Sequence, residues 1–274
     1  AGEPLSDAGT RAAIASLIDR DALIDVGTGG GPAAQRRADA QVLAPSQRSY
    51  QPTVPANRAE PDRARADRLL REAGYRRDGD VWRDDGGEPL TLVVASPGEQ
   101  EPYAAIAAEL AEQLTDAGVR ARAVQPDPRE LYAVDPAAED AEPIDDGTGE
   151  EVTVDVLVGP RPVSADPASD FASRFACRAT DTADDADSEV EPGNVAGFCD
   201  QRLESTVRAL LTGERSVRGA LDGLEPRLWQ ENVTIPLYQL ADTLAVGDDV
   251  AGVTEGPPLA GPFGAAVNWI RISQ

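Results

Sequence analysis

Apolar residues recur at helical spacing in several stretches of the chain, and runs rich in β-branched residues lie between them. The N-terminal stretch predicts one amphipathic helix that is capped by Ser6 or Asp7 and continues through Ile24. Further helices are predicted over 61–74, 103–118, 200–212 and 216–231, and strands over 89–97, 119–124 and 152–159. Because strand, helix and strand follow one another over 89–124, we expect a βαβ unit in an α/β fold whose sheet is covered by helices.

Other segments lack a clear period and are predicted to be loops. The glycine-rich residues 27–32 indicate a flexible loop rather than a phosphate cradle, because no strand precedes them and no Gly-Lys-Ser follows. Residues 33–60 are predicted to run as an extended loop across the surface. The acidic residues 134–151 cannot bury enough apolar surface to order themselves, so we expect a solvated insertion there. The tail 240–274 is predicted to carry short strands and many turns.

Composition removes several classes of function. The 274 residues carry 49 acidic and 25 basic side chains, a net charge of −24, and they include no histidine. Every basic residue is an arginine, which fits codon bias in a high-GC genome or, alternatively, a halophile surface. Without histidine or lysine the chain can form neither a Ser-His-Asp triad nor a Schiff base. The negative charge repels nucleic acid, and no apolar run is long enough to span a membrane.

The two cysteines, Cys177 and Cys199, bracket a hydrophilic loop. A disulfide closing a loop of this size contributes on the order of 3 kcal/mol and would indicate an oxidising, extracytoplasmic location. Two buried free thiols are the alternative. The acidic run 181–189 lacks the glycine and glutamate of a calcium loop, so we read it as solvated. No metal, cofactor or catalytic residue is predicted.

One segment carries candidate binding chemistry. The strand predicted over 152–159 ends in Gly-Pro-Arg-Pro, and ligand crevices of open α/β sheets form beyond the carboxyl ends of strands. Arg161 lies there, and a guanidinium can hold a carboxylate or a phosphate through two parallel hydrogen bonds. An ordinary surface arginine is the alternative interpretation.

Four stretches together resemble the family 5 extracellular solute-binding proteins, the dipeptide- and oligopeptide-binding type that feeds ABC importers. They are TRAAIASLIDRDALI, PDRARADRLLREAGY with the GEPLTLVV that follows, AAIAAELAEQLTDAGVRARAV, and GNVAGFCDQRLESTVRALL. The resemblance implies the C-terminal lobe of a type II (cluster C) periplasmic-binding-protein-like fold, with a mixed sheet and helices packed on it. Residues 5–235 would form a non-catalytic ligand-binding lobe, and the tail 236–274 would return to a missing N-terminal lobe. The chain would thus be a fragment of a longer protein that works with an ABC permease.

The resemblance also implies which residues line this lobe's half of the cleft. They are Arg161, Val163, Ser164 and Asp166, with Asn194 and Phe198 close by. Val163 stands where peptide binders of the family place an aspartate against the peptide amine, so a buried amine would lose its counter-charge there.

Peptide specificity is therefore not expected, and Arg161 together with the high-GC composition makes the chain resemble the actinobacterial lipoproteins of the family that are linked to phosphatidylinositol mannosides. We therefore expect a membrane-anchored, extracytoplasmic lipoprotein that binds a peptide or a glycosidic or anionic solute. A regulatory lipoprotein of phosphatidylinositol mannoside or lipoarabinomannan assembly is the alternative function, and a carboxylate-only hydrolase is a third.

Overall fold

The computed structural model describes residues 4–58, 60–133, 143–164, 166–177, 194, 196, 198, 200–241, 243–256 and 261–272. The chain divides into two compact units, Ala1–Gln239 and Leu240–Gln274. The described helices of the first unit are α1 (Ala8–Leu17), α2 (Arg20–Thr28), α3 (Arg63–Glu72), α4 (Tyr103–Asp116), α5 (Pro128–Leu131), α6 (Pro167–Phe175), α7 (Glu204–Leu211) and α8 (Val217–Glu231). Short 3-10 helices lie at Pro4–Ser6, Pro32–Gln35 and Ala56–Arg58.

The described strands of the first unit are β1 (Arg76–Asp78), β2 (Val81–Arg83), β3 (Thr91–Ala95), β4 (Arg120–Val124), β5 (Ile144–Asp145), β6 (Glu151–Val152) and β7 (Val156–Leu157). Three of them form a parallel sheet in the order β4–β3–β7, with Val94 opposite both Ala123 and Val156. The predicted βαβ unit is present as β3–α4–β4. Its helix buries Leu110 and Leu114 against the sheet, as the apolar spacing requires.

The N-terminal helix differs from the prediction, because two helices replace one. Ile18 and Asp19 adopt extended backbone angles, and the Asp19 carboxylate accepts the amide N–H of Asp21 and Ala22, which starts α2. Of the two predicted caps for α1, Asp7 fills the position by accepting the Thr10 amide at 2.6 Å. Asp19 is therefore the N-cap of α2, and the extended backbone that this position requires ends α1.

The largest apolar cluster, the sheet core, packs α1, α3 and α4 against the parallel sheet. Leu70, Trp82, Leu92, Val94 and Leu114 are fully buried within it. The indole N–H of Trp82 donates to the carbonyl oxygen of Ala117 at 3.2 Å, so even this side chain leaves no polar group without a partner.

A second apolar cluster, the helical cluster, is formed by α6, α7 and α8. Phe171, Phe175 and Leu228 are buried in it, together with Val42 and Leu43 from the segment predicted to be a surface loop. The prediction of a surface loop is therefore wrong for residues 40–43. Their burial results from long-range packing that no local period reveals.

The acidic segment also differs from its prediction in its second half. Residues 143–151 form an ordered hairpin with Val152, in which β5 pairs with β6 and Ile144 lies opposite Val152. Both apolar side chains are buried against Val93 and Val124, and the Asp146 carboxylate accepts the amide and hydroxyl of Thr148. Residues 134–142 lie outside the described part of the chain.

The second unit contains the antiparallel pair β8 (Val250–Ala251) and β9 (Ile270–Arg271) and the 3-10 helix Pro262–Asn268. The rings of Phe263 and Trp269 lie 5.6 Å apart. Several of its apolar side chains are exposed, among them Phe263 and Val267.

Candidate functional site

The three strands of the parallel sheet end on the same side, and the loops that follow them define one surface. We call this surface the carboxyl edge; it comprises residues 96–103, 125–132, 158–164 and 166, which follow β3, β4 and β7. Ligands of open α/β sheets bind at this position because the strand ends leave backbone groups and loop side chains free to converge. Arg161 lies in the last of these loops.

Arg161 is held by two contacts to parts of the chain far away in sequence. Its Nη2 donates to the carbonyl oxygen of Gln41 at 2.8 Å, and its guanidinium carbon lies 5.8 Å from the ring centroid of Phe175. The residue is exposed, yet the surrounding protein desolvates the guanidinium and lowers the pKa of Arg161 to about 10, with Glu225 opposing that shift. The side chain is therefore a positioned cation at neutral pH.

The peptide of Gln41 is anchored from its other side by a buried carboxylate. Glu225 on α8, which is 2% exposed, accepts the amide of Gln41 at 2.9 Å and that of Val42 at 3.0 Å. The hydroxyl of Thr53 also donates to Glu225, at 2.6 Å, and accepts the indole N–H of Trp229 at 3.0 Å. These bonds fix the acceptor of Arg161, although nothing in the sequence pattern singled out Glu225 or Gln41.

Ser164 and Asp166 are engaged in local structure. The carbonyl oxygen of Ser164 accepts the side-chain amide of Gln47 at 2.9 Å, and its hydroxyl accepts the amide of Asp166 at 3.1 Å. Asp166 is the N-cap of α6, where it accepts the amide of Ala168 at 3.1 Å and the hydroxyl of Ser169 at 2.5 Å. The hydrogen bond from the Ser169 hydroxyl, followed by those from the amides of Ala168 and Ser169, holds the pKa of Asp166 below its ordinary value. Val163 is half-buried in the same loop.

Asn194 and Phe198 lie beside the end of α6 and are bonded to each other. The side chain of Asn194 donates to the carbonyl oxygen of Phe198 at 2.8 Å and accepts its amide at 3.1 Å. The Phe198 ring meets Phe175 edge-on at 6.2 Å, so Phe198 and Arg161 contact the same ring. Of the two cysteines, Cys199 lies outside the described residues, and its pairing with Cys177 stays a prediction.

Three tyrosines lie at or beside the carboxyl edge, and none of them was selected from the sequence as a candidate ligand-binding residue. Tyr103 begins α4 and Tyr132 ends the loop after β4, while Tyr238 donates its hydroxyl to the carbonyl oxygen of Gly27 at 3.0 Å. Burial raises the pKa of Tyr132 and of Tyr238, and the nearby Tyr103 raises both further. Arg161 was selected because it follows a strand of the sheet. The same criterion would also have selected Tyr103 and Tyr132 as candidate site residues.

Gly159 brings the Arg161 loop close to this tyrosine group. A Cβ at Gly159 would lie 2.7 Å from the Tyr132 hydroxyl, so a larger residue there would displace the tyrosine side chain. The carboxyl edge therefore combines aromatic faces, hydroxyl groups and one positioned guanidinium.

A separate pocket of about 210 Å³ lies between residues 40–53 and α8. Its lining includes Arg218, Asp222 and the Glu225 already described. Among the described residues no group of three or more Asp, Glu or Cys side chains is arranged to hold a metal ion. Across the same residues, no helix combines the length and the apolar character that a membrane crossing needs.

Solved structures with this architecture define the class of fold. The periplasmic EDTA-binding protein EppA superposes with a TM-score of 0.72 at 18% identity, covering 100% of this chain and 47% of that one. The oligopeptide-binding protein AppA from Bacillus subtilis, in complex with a nonapeptide, gives 0.64 at 13% identity, covering 99% and 49%. NikZ from Campylobacter jejuni in complex with Ni(L-His) gives 0.63 at 15% identity, covering 98% and 50%. The chain thus has the fold of a type II periplasmic binding protein, as predicted.

Sequence comparison assigns the family. The family model described as "Bacterial extracellular solute-binding proteins, family 5 Middle" matches residues 1–148. The chain therefore belongs to the family 5 bacterial extracellular solute-binding proteins. It is also 27% identical, over 337 aligned positions, to the "Probable monoacyl phosphatidylinositol tetramannoside-binding protein LpqW" of Mycobacterium tuberculosis, covering 98% of this chain and 50% of the relative. The chain spans about half the length of the curated relatives it matches.

Proposed function

We propose that this chain is a non-catalytic ligand-binding lobe that holds a phosphorylated glycoside at its carboxyl edge. The observation that carries the proposal is Arg161, a guanidinium fixed at the end of a parallel strand by Gln41 and Phe175. A guanidinium in such a place can hold a phosphate through two parallel hydrogen bonds. Among the described residues no carboxylate forms an ion pair with Arg161, and Glu225, which raises its pKa, already accepts hydrogen bonds from Gln41, Val42 and Thr53. The charge of Arg161 is therefore available to a ligand.

The tyrosines beside Arg161 supply the second half of the proposed specificity. An aromatic ring offers an apolar face against which the C–H face of a sugar packs, and a tyrosine hydroxyl adds a polar group at the ring edge. Tyr132 is 44% exposed, so its ring is available to a ligand. A phosphorylated glycoside presents both chemistries at once, and the relative LpqW is named for a ligand of this class.

The half-length match supports a two-lobed protein in which a second lobe closes over the carboxyl edge. In this proposal residues 5–235 form one lobe, and residues 236–274 pass to the other. The exposed Phe263 and Val267 of the second unit would then be covered by that lobe, because apolar side chains this exposed gain stability from burial. Closure around the ligand would be a hinge motion of the two lobes.

We further propose an extracytoplasmic location, a lipid anchor and an ABC permease as partner, on the strength of family membership. The alternative is a regulatory lipoprotein of envelope glycolipid assembly, favoured by the glycolipid in the name of LpqW. Deleting the gene discriminates between them. Loss of uptake of the phosphorylated glycoside supports transport, whereas normal uptake with altered glycolipid composition supports regulation.

The ligand proposal is tested by titrating two probes, the deacylated headgroup of a phosphatidylinositol mannoside and the same mannoside without its phosphate. We expect Arg161→Ala to weaken binding of the phosphorylated probe about tenfold or more, since a charge-assisted hydrogen bond contributes about 1.5–3 kcal/mol. The affinity for the phosphate-free probe should be the same in Arg161→Ala as in the wild type. Tyr132→Ala should weaken both probes, because the proposed ring contact is to the sugar.

Arg68→Ala is the matched control, since Arg68 is exposed on α3 and its loss changes the net charge equally. Isothermal titration calorimetry on the 274-residue chain measures the binding of each probe to the wild type and to the three variants. Equal affinity of wild type and Arg161→Ala for the phosphorylated probe would contradict the proposal.

A further inference from the structure

The pocket between residues 40–53 and α8 is built from residues that do not belong to the carboxyl edge. Its volume of about 210 Å³ is below the roughly 300–1,000 Å³ of pockets for drug-sized ligands, so it suits a smaller molecule. One wall is apolar and consists of Ala40, Leu43, Leu221 and Pro226. A small molecule with an apolar part can therefore remove that part from water against this wall.

Two side chains of opposite charge, Arg218 and Asp222 of α8, also line the pocket. They are four residues apart, so they lie on the same face of the helix with their Cβ atoms about 5–6 Å from each other. Within the described part of the chain neither side chain forms an ion pair or a hydrogen bond. A basic residue four positions before an acidic one is the less favourable order for a helical ion pair. Both charges are therefore available to a ligand.

The second carboxylate in the lining of the pocket, that of Glu225, is already engaged. It accepts hydrogen bonds from the amides of Gln41 and Val42 and from the hydroxyl of Thr53. Its side chain is also 2% exposed, in contrast to the exposed Asp222. Of the two acidic side chains that line the pocket, Asp222 is therefore the one that a ligand can reach.

A proline within α8 leaves a further acceptor beside Asp222. Pro226 lies inside the helix and has no N–H, so the carbonyl oxygen of Asp222 lacks its usual helical donor. Because both residues line the pocket, this carbonyl oxygen and the Asp222 carboxylate can accept from the same group of a ligand. An ammonium group carries three N–H donors, whereas a hydroxyl carries one. The two adjacent acceptors therefore favour an ammonium group.

We propose that this pocket binds a free amino acid with an apolar side chain, at a site separate from the carboxyl edge. The carboxylate of the ligand pairs with Arg218, and its ammonium group pairs with Asp222. Its side chain packs against the wall that contains Leu43 and Leu221. A purely anionic ligand leaves Asp222 without a partner and is repelled by it, and a purely cationic ligand does the same with Arg218. A zwitterion satisfies both charges.

Titration of the 274-residue chain with L-leucine, by saturation-transfer difference NMR and by calorimetry, tests the site. We expect Arg218→Gln and Asp222→Asn each to weaken leucine binding about tenfold, through loss of a charge-assisted hydrogen bond. Both residues are exposed, so both variants should melt at the temperature of the wild type. No leucine binding to the wild type, or full affinity in either variant, would overturn the proposal.

Matched controls are Arg208→Gln on α7 and Asp116→Asn on α4. Both residues are exposed and lie outside the lining of the pocket, and their substitution makes the same changes of charge. Each control should bind leucine as the wild type does. A loss in the controls as large as in the pocket variants would show that net charge alone governs binding, and it would refute the site.

Analogues of leucine assign each charge to its partner. Isocaproate lacks the ammonium group and isoamylamine lacks the carboxylate, so each should bind more weakly than leucine. Arg218→Gln should weaken binding of isocaproate and spare isoamylamine, and Asp222→Asn should do the reverse. Glycine, which has no apolar side chain, should bind at least about tenfold more weakly than leucine. Equal affinity for glycine and leucine, or equal losses of both analogues in both variants, would contradict the proposed contacts.

Two further titrations separate this site from the function proposed above and from a sugar site. Leucine binding should be unchanged in Arg161→Ala, because Arg161 does not line the pocket. Its loss in that variant would place leucine at the carboxyl edge and refute a second site, while binding of the phosphorylated probe would still test the proposed function. Binding of D-mannose that depends on Asp222, without binding of leucine, would identify a sugar site and overturn the proposal.

Discussion

The sheet core and the helical cluster use the same kinds of apolar side chain, but they are assembled from the chain in different ways. Much of the sheet core comes from β3, α4 and β4, which follow one another within 91–124. The helical cluster joins Val42 and Leu43 to α6, α7 and α8, more than a hundred residues further along the chain. Arg161 lies where the two meet, because it follows a strand of the sheet and contacts Phe175 of the cluster. The candidate site therefore depends on the helical cluster, whose contacts join residues that are far apart in the sequence.

The largest effect is expected in the sheet core. Leu114 is completely buried on α4, so Leu114→Ala should lower the free energy of unfolding by about 3–4 kcal/mol, through lost transfer energy and a residual cavity. Leu211, 54% exposed on α7, is the matched control, and its alanine variant should change stability by no more than about 0.5 kcal/mol. Urea denaturation followed by circular dichroism measures both. A similar loss in the two variants would remove the distinction between core and surface on which the comparison depends.

A smaller and more local effect is expected at Glu225. Glu225→Ala removes the acceptor of two backbone amides and of the Thr53 hydroxyl, which should cost about 2–3 kcal/mol. Hydrogen exchange at Gln41 and Val42 should accelerate more than exchange in β3. Glu225→Gln, which keeps a side-chain oxygen as an acceptor, should lose less. Uniformly faster exchange throughout the first unit would show that the helical cluster is not a separate element of stability.

The smallest effect is expected at the cap of α6, and it depends on pH. Hydrogen bonds hold the pKa of Asp166 below its ordinary value of 3.8, so the charged form is favoured in the folded state. This contribution is fully present above the unfolded pKa and is lost as the pH falls through the lower folded pKa. Asp166→Asn keeps a capping oxygen without titrating. Its stability difference from wild type should therefore shrink as the pH falls below 3.8; a difference constant from pH 7 to pH 2 would contradict this account.

Periodic segments were predictable because local spacing alone decides their structure. The helix at 103–116 and the strands beside it follow from the placement of Leu110, Leu114 and the β-branched run before them. The hairpin at 143–152 was not predictable, since two apolar residues, Ile144 and Val152, decide it by packing on β3 and β4. The break at Asp19 follows from a capping signal that the apolar stripe concealed.

The candidate site was predictable only in part. The position of Arg161 after a strand identified it, but its acceptor Gln41 lies 120 residues earlier in the chain. Asp166 and Asn194 carry polar groups that local turns engage, and sequence spacing does not distinguish such groups from ones available to a ligand. Glu225 gave no signal, because a single carboxylate on a helix usually faces solvent.

Arg161 has more hydrogen-bond donors than the protein itself uses. A guanidinium carries five N–H groups, and within the described part of the chain one of those of Arg161 donates to the carbonyl oxygen of Gln41. An incoming oxyanion can take others of these groups while Gln41 keeps its own. Binding and release of the ligand would then exchange water for the anion at Arg161 without breaking a hydrogen bond within the protein. Selectivity among anions would depend on how well each anion fits the fixed geometry of the remaining N–H groups.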